Sequence, residues 1–445
     1  MSNDLHGLPV TAPSATAAAA LDATLHRYLA YRADTPQPLF AALEAEPDFA
    51  LGQCVKGYLT MLGFKQASVP GARAALQIAQ RVADRTTERE RMHVAALQAW
   101  VDGHVERTLA LWAQIQREHP TDLLAFRLAH FVHFWLGRPG AMLASVEQVR
   151  PRWSPELPGW GALLSCHCFA LEECDRHDEA EPHGRAAVAL NPADLWGTHA
   201  VAHVLEMQGR AADGIAWLES LAPHWAAGNN LVHHLWWHRA LMHLGQGDTA
   251  AMLHLYDTRF RDLSAPLTRA QPDVYIDLQN AASALYRLQH LGVDVGDRWR
   301  ELADHAEARI GDCLSAFTLP HLMMALLADG RMDAARRMTE AMQAFAAGGD
   351  DQAKVVGEVA LPLALAMRDA AEGRPADAVA RVRPVFHRLP ELGGSHAQQE
   401  VLALFHWRAA RVAGLEADAQ VVRAWVDRHF VGGIAARRVF GVPAH

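Results

Sequence analysis

Five cysteines in 445 residues, Cys54, Cys166, Cys168, Cys174 and Cys313, are an odd and scattered set. Such usage fits reduced thiols rather than a disulfide framework, and the cytoplasm is the expected location. No run approaches the ~18 apolar residues of a membrane span. The N-terminus, MSNDLHGLPVTAPSATAAAALDATLHRYLAY, lacks the basic start and apolar core of a signal peptide, so no membrane partner is expected. Positive charge is also short: 41 Lys and Arg face 50 Asp and Glu, a formal net charge of −9. Phosphate neutralisation needs a basic surface, which argues against nucleic acid as a partner. The chain has no P-loop, no dinucleotide glycine fingerprint and no G-x-S-x-G elbow. Nucleotide-driven chemistry and serine hydrolysis on an α/β fold are therefore poorly supported.

Strand patterning is missing as well, because β-branched alternation is absent and Ala, Leu, Arg, Glu and Gln fill the long segments. What is present is helical periodicity, which begins after a polar leader over 1–18 that is expected to be flexible. Gly103, Gly137, Asp175, Gly209 and Gly247 each fall between two apolar helical runs, at steps of 34, 38, 34 and 38 residues. A period near 34 with a turn residue at its centre predicts tetratricopeptide-like helical hairpins. Later turns at Gly330 and Gly373 are 43 apart, so the repeat drifts while the unit persists. The expected fold is all-α, a right-handed superhelical solenoid of antiparallel helix hairpins, with 19–445 as a single repeat domain. The segment 149–161 carries three prolines and two tryptophans, and it is expected to fold as an ordered loop across a groove.

Several stretches resemble the tetratricopeptide-repeat protein 38 family. They are ERERMHVAALQAW (88–100), HPTDLLAFRLAH (119–130), HCFALEE (167–173), ALNPADLWGTHAVAHVLEMQGR (189–210), HLWWHRAL (234–241), LGVDVGDRW (291–299) and GGSHAQQE (393–400). The likeness runs from LDATLHRYLAY (21–31) to about Phe405, and HAVAHVLEMQGR is its most specific part. It implies a helical tetratricopeptide-like fold and no particular reaction. Leu235 stands where the family's segment carries Asn, and Gln399 and Glu400 replace Arg and Asp. FTLPH (317–321) keeps His321 but loses two polar groups. Wherever the family shares a polar site, these changes imply a ligand or activity of this chain's own.

The candidate chemistry lies between Leu195 and Asp248. His199, His203 and Glu206 are spaced i, i+4 and i+7, which puts them on one helical face. His234 and His238 repeat the spacing one hairpin later beside Trp236 and Trp237. Aromatic walls around a few convergent polar groups are what a small-molecule pocket needs. Glu172 precedes Glu206 by one 34-residue period, so stacked hairpins should bring the two carboxylates together, with Arg210, Arg239 and Arg287 as available partners. His167 joins the candidates from the same stretch. His396 and Glu400 follow Gly393-Gly394, with Ser395 as N-cap, and this end closes over the His199 region if the superhelix curls enough.

The ligand-binding candidates are thus His167, Glu172, His199, His203, Glu206, His234, Trp237, His238, His396 and Glu400. His233 and His243 read as packing or solvated residues, and Trp217 as a second-helix core position. A divalent metal would use His199, His203 and Glu206. The H-E-x-x-H motif is absent, however, and a metal-free protein is the expectation. Cys166, Cys168 and Cys174 lack knuckle spacing and read as small buried hydrophobes. The function expected is a concave His/Glu/Trp-lined pocket for a small polar molecule, with acid–base or metal-assisted catalysis open. The alternative is an adaptor holding a peptide in an open groove. Oligomeric state stays open.

Overall fold

Helix-forming composition is realised throughout. The computed structural model describes residues 2–441, and these hold twenty-five α-helices. Ser2–Asn3 and Pro9–Val10 form the one two-stranded ladder among the described residues. The architecture is the all-α, right-handed superhelical solenoid of antiparallel hairpins that the repeat predicts.

The turn period survives in the backbone. Gly103, Gly137, Asp175, Gly209, Gly247, Gly330 and Gly373 all take positive φ, from +60° to +86°. This left-handed conformation ends a helix cheaply for glycine and is tolerated by Asp. Three hairpins carry the candidate residues. They pair Trp160–Glu172 with His177–Leu190, Leu195–Met207 with Ala211–Leu221, and Leu231–Gly245 with Thr249–Leu255. Every residue of the Leu195–Met207 helix is buried. Its partner buries only Gly214, Leu218 and Leu221. A helix buried on every face lies inside and an amphipathic one outside, so in these hairpins the first helix lines the interior.

That interior is filled. The His396–Val412 helix packs on the Leu195–Met207 and Tyr275–His290 helices, so the chain's end closes on its middle. Gly393 and Gly394, at φ +93° and +78°, make this possible. A Cβ on Gly393 would lie 2.4 Å from the Trp135 carbonyl oxygen, and one on Gly394 would lie 2.6 Å from the Phe317 ring. Elsewhere Lys65 reaches Asp273 at 2.6 Å and Arg309 donates to the Phe64 carbonyl at 3.3 Å, joining early and late hairpins.

Three local expectations are corrected. The leader is docked: Arg89 pairs with Asp4 at 3.3 Å and Thr11 hydrogen-bonds both oxygens of Glu90. The buried Arg89 is neutralised first by Asp122 at 2.8 Å, and the leader adds Asp4 as a second acid. The 149–161 loop does not cover the histidines. Trp153 is buried there and donates to the Pro120 carbonyl, while the Pro158 carbonyl meets His6. Trp217 is half-buried on the outer layer, donating to the Thr198 carbonyl under the Arg185 guanidinium, and Leu218 is the core residue of that helix.

Candidate metal centre

Asp194 starts the central helix by accepting the N–H groups of Trp196 and Gly197, which satisfies donors that a helix N-terminus leaves free. One and two turns later the helix presents His199 and His203. The Leu231–Gly245 helix presents His234 and His238 opposite them. Nε2 of His203 lies 3.0 Å from Nε2 of His199, and Nε2 of His238 lies 3.1 Å from Nε2 of His234. Across the hairpins, the ring centroids of His203 and His238 are 4.3 Å apart and those of His199 and His234 are 4.9 Å apart. One ligand atom from each of the four lies within 4.8 Å of all the others. Trp196 stacks on His199 and Trp237 stacks on His234, closing the sides.

The outward nitrogens decide what the inward ones can do. His238 Nδ1 is 2.8 Å from Glu206 Oε2, and His234 Nδ1 is 3.0 Å from Asn280 Oδ1. A carboxylate and an amide oxygen only accept, so each ring donates from Nδ1 and keeps a bare lone pair on Nε2. With those tautomers the two lone pairs face each other across the 3.1 Å contact. A proton is a poor bridge here, because burial pushes His199, His234 and His238 well below the usual imidazole pKa and lowers His203 as well. A metal cation removes the clash. Tetrahedral ligands at ~2.0–2.1 Å place neighbouring nitrogens ~3.3 Å apart, close to the spacing of each pair. Four neutral imidazoles suit Zn²⁺, Cu²⁺, Ni²⁺ or Fe²⁺ rather than the hard ions Mg²⁺ and Ca²⁺.

Charged residues surround this core. Glu206 Oε1 lies 3.8 Å from Arg437, which donates to Glu400 at 2.5 Å, and Glu400 in turn accepts from Arg287 at 3.1 Å. Burial raises the Glu206 pKa, with Arg437 opposing it. At Glu400 burial opposes ionisation, but Arg437 and Arg287 outweigh it and hold the carboxyl below its ordinary value. Beyond Glu206 opens a cleft of about 340 Å³, lined by Glu206, Leu241, Met242, Gln246, Phe430 and Arg437 among others. On the other side, Glu172 Oε2 is 3.6 Å from His203 Nδ1, and Glu173 lies between His203 and His396 at 3.9 Å from each. Burial pushes both glutamates well above the ordinary carboxyl pKa.

Of the sequence candidates, His199, His203, His234 and His238 converge, with Trp237 as a wall. Glu206, expected as a third ligand, instead holds His238. Glu172, His396 and Glu400 lie in the surrounding layer. His167 is not brought in: it stacks on His183 at 4.3 Å, and burial lowers its pKa to about 4. Sequence reasoning missed Glu173, Asn280 and Arg437. Glu173 was visible as the second acid of HCFALEE; Asn280 and Arg437 belong to no motif. It also passed over His233, which is buried against Asp277 at 2.9 Å, with Asn230 on the same oxygen. A separate apolar crevice between Met61, Trp100, Trp135 and Phe345 touches none of these groups.

No family model matches the chain. Among solved structures, a human IFIT1 dimer with m7Gppp-AAAA aligns over 92% of this chain and 98% of its own, at 12% identity and a TM-score of 0.43. A Naa15/Naa10 structure bound to HypK-THB aligns over 95% of this chain and 70% of its own, at 11% identity and a TM-score of 0.25. Both are tetratricopeptide-type helical repeat proteins. The exclusion of nucleic acid is corrected by this finding, since the first of them was solved with m7Gppp-AAAA. Net charge averages the whole surface, whereas phosphate contacts need only local basic groups, so −9 is no ground for exclusion.

Proposed function

We propose that this chain is a tetratricopeptide-type protein, similar to the tetratricopeptide-repeat protein 38 family, that holds a first-row transition-metal ion on His199, His203, His234 and His238. The cleft bordered by Glu206 and Arg437 then takes a small polar ligand, with an anionic group directed to Arg437 and Glu206 placed for acid–base chemistry beside it. One observation carries the reading: the Nε2 atoms of His234 and His238 face each other at 3.1 Å, with both Nδ1 atoms engaged behind them by Asn280 and Glu206. Carboxylate or amide groups behind metal-bound imidazoles fix tautomer and raise basicity, and Glu206 and Asn280 stand in those places.

Packing alone accounts for this poorly. His199 Nδ1, His203 Nδ1 and both oxygens of Glu172 are buried without a hydrogen-bond partner. Each such atom costs about 1–3 kcal/mol, which a core built for stability would avoid. The adaptor reading loses its open groove, because the His396–Val412 helix occupies the interior. The free thiols suit a reducing compartment such as the cytoplasm, and no helix among the described residues is long and apolar enough to cross a membrane. We take 19–445 as one repeat domain, since its last hairpins pack on its middle.

Elemental analysis of untagged protein tests the proposal. Stoichiometric Zn, Cu, Ni or Fe is expected, lost in His199→Ala and His238→Ala variants whose helical circular dichroism is intact. Protein that is purified metal-free and takes up none of these ions on dialysis overturns it.

A further inference from the structure

Glu172 and Glu173 end the Trp160–Glu172 helix inside the superhelix, 0% and 6% exposed. Among the described residues, no arginine or lysine pairs with either. Two adjacent acids in a low-dielectric interior repel unless a cation or a proton compensates them. The groups facing them are imidazoles. His203 Nδ1 lies 3.6 Å from Glu172 and 3.9 Å from Glu173, and His396 Nδ1 lies 3.9 Å from Glu173. These gaps are too long for hydrogen bonds. Accordingly Glu172 Oε1 and Oε2, Glu173 Oε1, His203 Nδ1 and His396 Nδ1 all lack partners. Ligand atoms of Glu172, Glu173 and His396 lie within 4.8 Å of one another.

We infer that Glu172, Glu173 and His396 bind a second divalent metal ion, and that His203 bridges it to the four-histidine ion, Nδ1 to one and Nε2 to the other. The inference rests on the four-histidine reading, because His203 bridges only if its Nε2 is already engaged. Bridging removes the last ring proton of His203, which leaves to solvent as the second ion arrives, so the imidazolate balances one of the added charges. Mixed carboxylate and imidazole donors suit Zn²⁺, Mn²⁺ or Fe²⁺. Four imidazoles saturate a tetrahedral ion, and Glu172, Glu173, His396 and the His203 bridge give the second ion four donors too, so it takes up water or substrate only by expanding to five-coordination. The cluster lies close to the surface: Asp175, 38% exposed, meets His429 at 3.4 Å, and His429 stacks on His396.

The test is metal stoichiometry of the 445-residue chain, stripped with chelator and dialysed against Zn²⁺ or Cu²⁺. Wild type should bind two equivalents and Glu172→Gln/Glu173→Gln should bind one. Saturation of wild type at one equivalent overturns the second site and leaves the first standing. Zero equivalents removes both. Two equivalents in the double variant also overturns the inference, because the second ion would then lie elsewhere. Should that variant fail to fold, copper-loaded wild type decides. An imidazolate bridge couples the two Cu²⁺ spins and suppresses the paramagnetic resonance signal to well below half of that expected for the bound copper. A signal equal to the total bound copper means the ions are not bridged, and overturns the inference.

Discussion

Glu206 shows how much one residue's place matters. Its spacing with His199 and His203 suggests a ligand, yet its carboxylate grips His238 Nδ1 and leaves the metal position to imidazoles. Groups in that place tune affinity by about 10–100-fold. Glu206→Gln should therefore weaken Zn²⁺ binding by about that factor with secondary structure unchanged, as read by competition against a chromophoric chelator. An unchanged affinity would remove Glu206 from the site. The two tryptophans separate in the same way. Trp237 is fully buried against His234, whereas Trp217 lies half-buried under Arg185. Trp237→Ala should cost about 3–5 kcal/mol, and Trp217→Ala distinctly less; equal denaturation midpoints would contradict this. The sequence made the i, i+4 histidines legible because helical geometry alone sets their face. It could not rank the tryptophans, because which side of a second helix meets its neighbour depends on the crossing between hairpins.

At the scale of elements, the His396–Val412 helix has the largest consequence. Turn positions were legible one by one, since each needs only its own left-handed residue. The closure was not, because the angle at which the chain's end returns is summed over every intervening hairpin. Asn280 and Arg437 were missed for that reason: each reaches the site from a separate hairpin or from the tail. GGSHAQQE did announce a special turn, and Gly393 and Gly394 are where the backbone touches Trp135 and Phe317. The contact is sealed by Glu400, 0% exposed, against Arg287, also 0% exposed, and Arg437. Removing one partner of a buried ion pair strands the other. Glu400→Gln should thus lower stability by about 3–5 kcal/mol, measured by denaturant unfolding. A change within error would show that Arg437 and Arg287 find other acceptors and that the seal is not electrostatic.

Over the whole molecule, the buried titratable groups pull stability in opposite directions with pH, and metal removal exposes both. The four histidines have folded pKa values below their unfolded value of about 6.5. Stability they allow is present above that pH and is lost as pH falls, because the unfolded chain takes up protons that the native state refuses. Four protons correspond to about 5 kcal/mol per pH unit, added to what other buried histidines such as His130 and His321 contribute, so stripped protein should unfold in mild acid, and His234→Gln/His238→Gln should lower the slope by about 2–3 kcal/mol per pH unit. Glu172 and Glu173 run the other way, since burial raises their folded pKa values well above 4.5. Their contribution is present below the unfolded value and is lost as pH rises through the folded one, where two unpaired buried charges must form. In chelator, Glu172→Gln/Glu173→Gln should therefore be more stable than wild type at pH 8 and about equal to it at pH 5. Denaturant titrations at the two pH values check this. A double variant less stable than wild type at pH 8 would mean that the acid pair is held by contacts of its own and needs no cation.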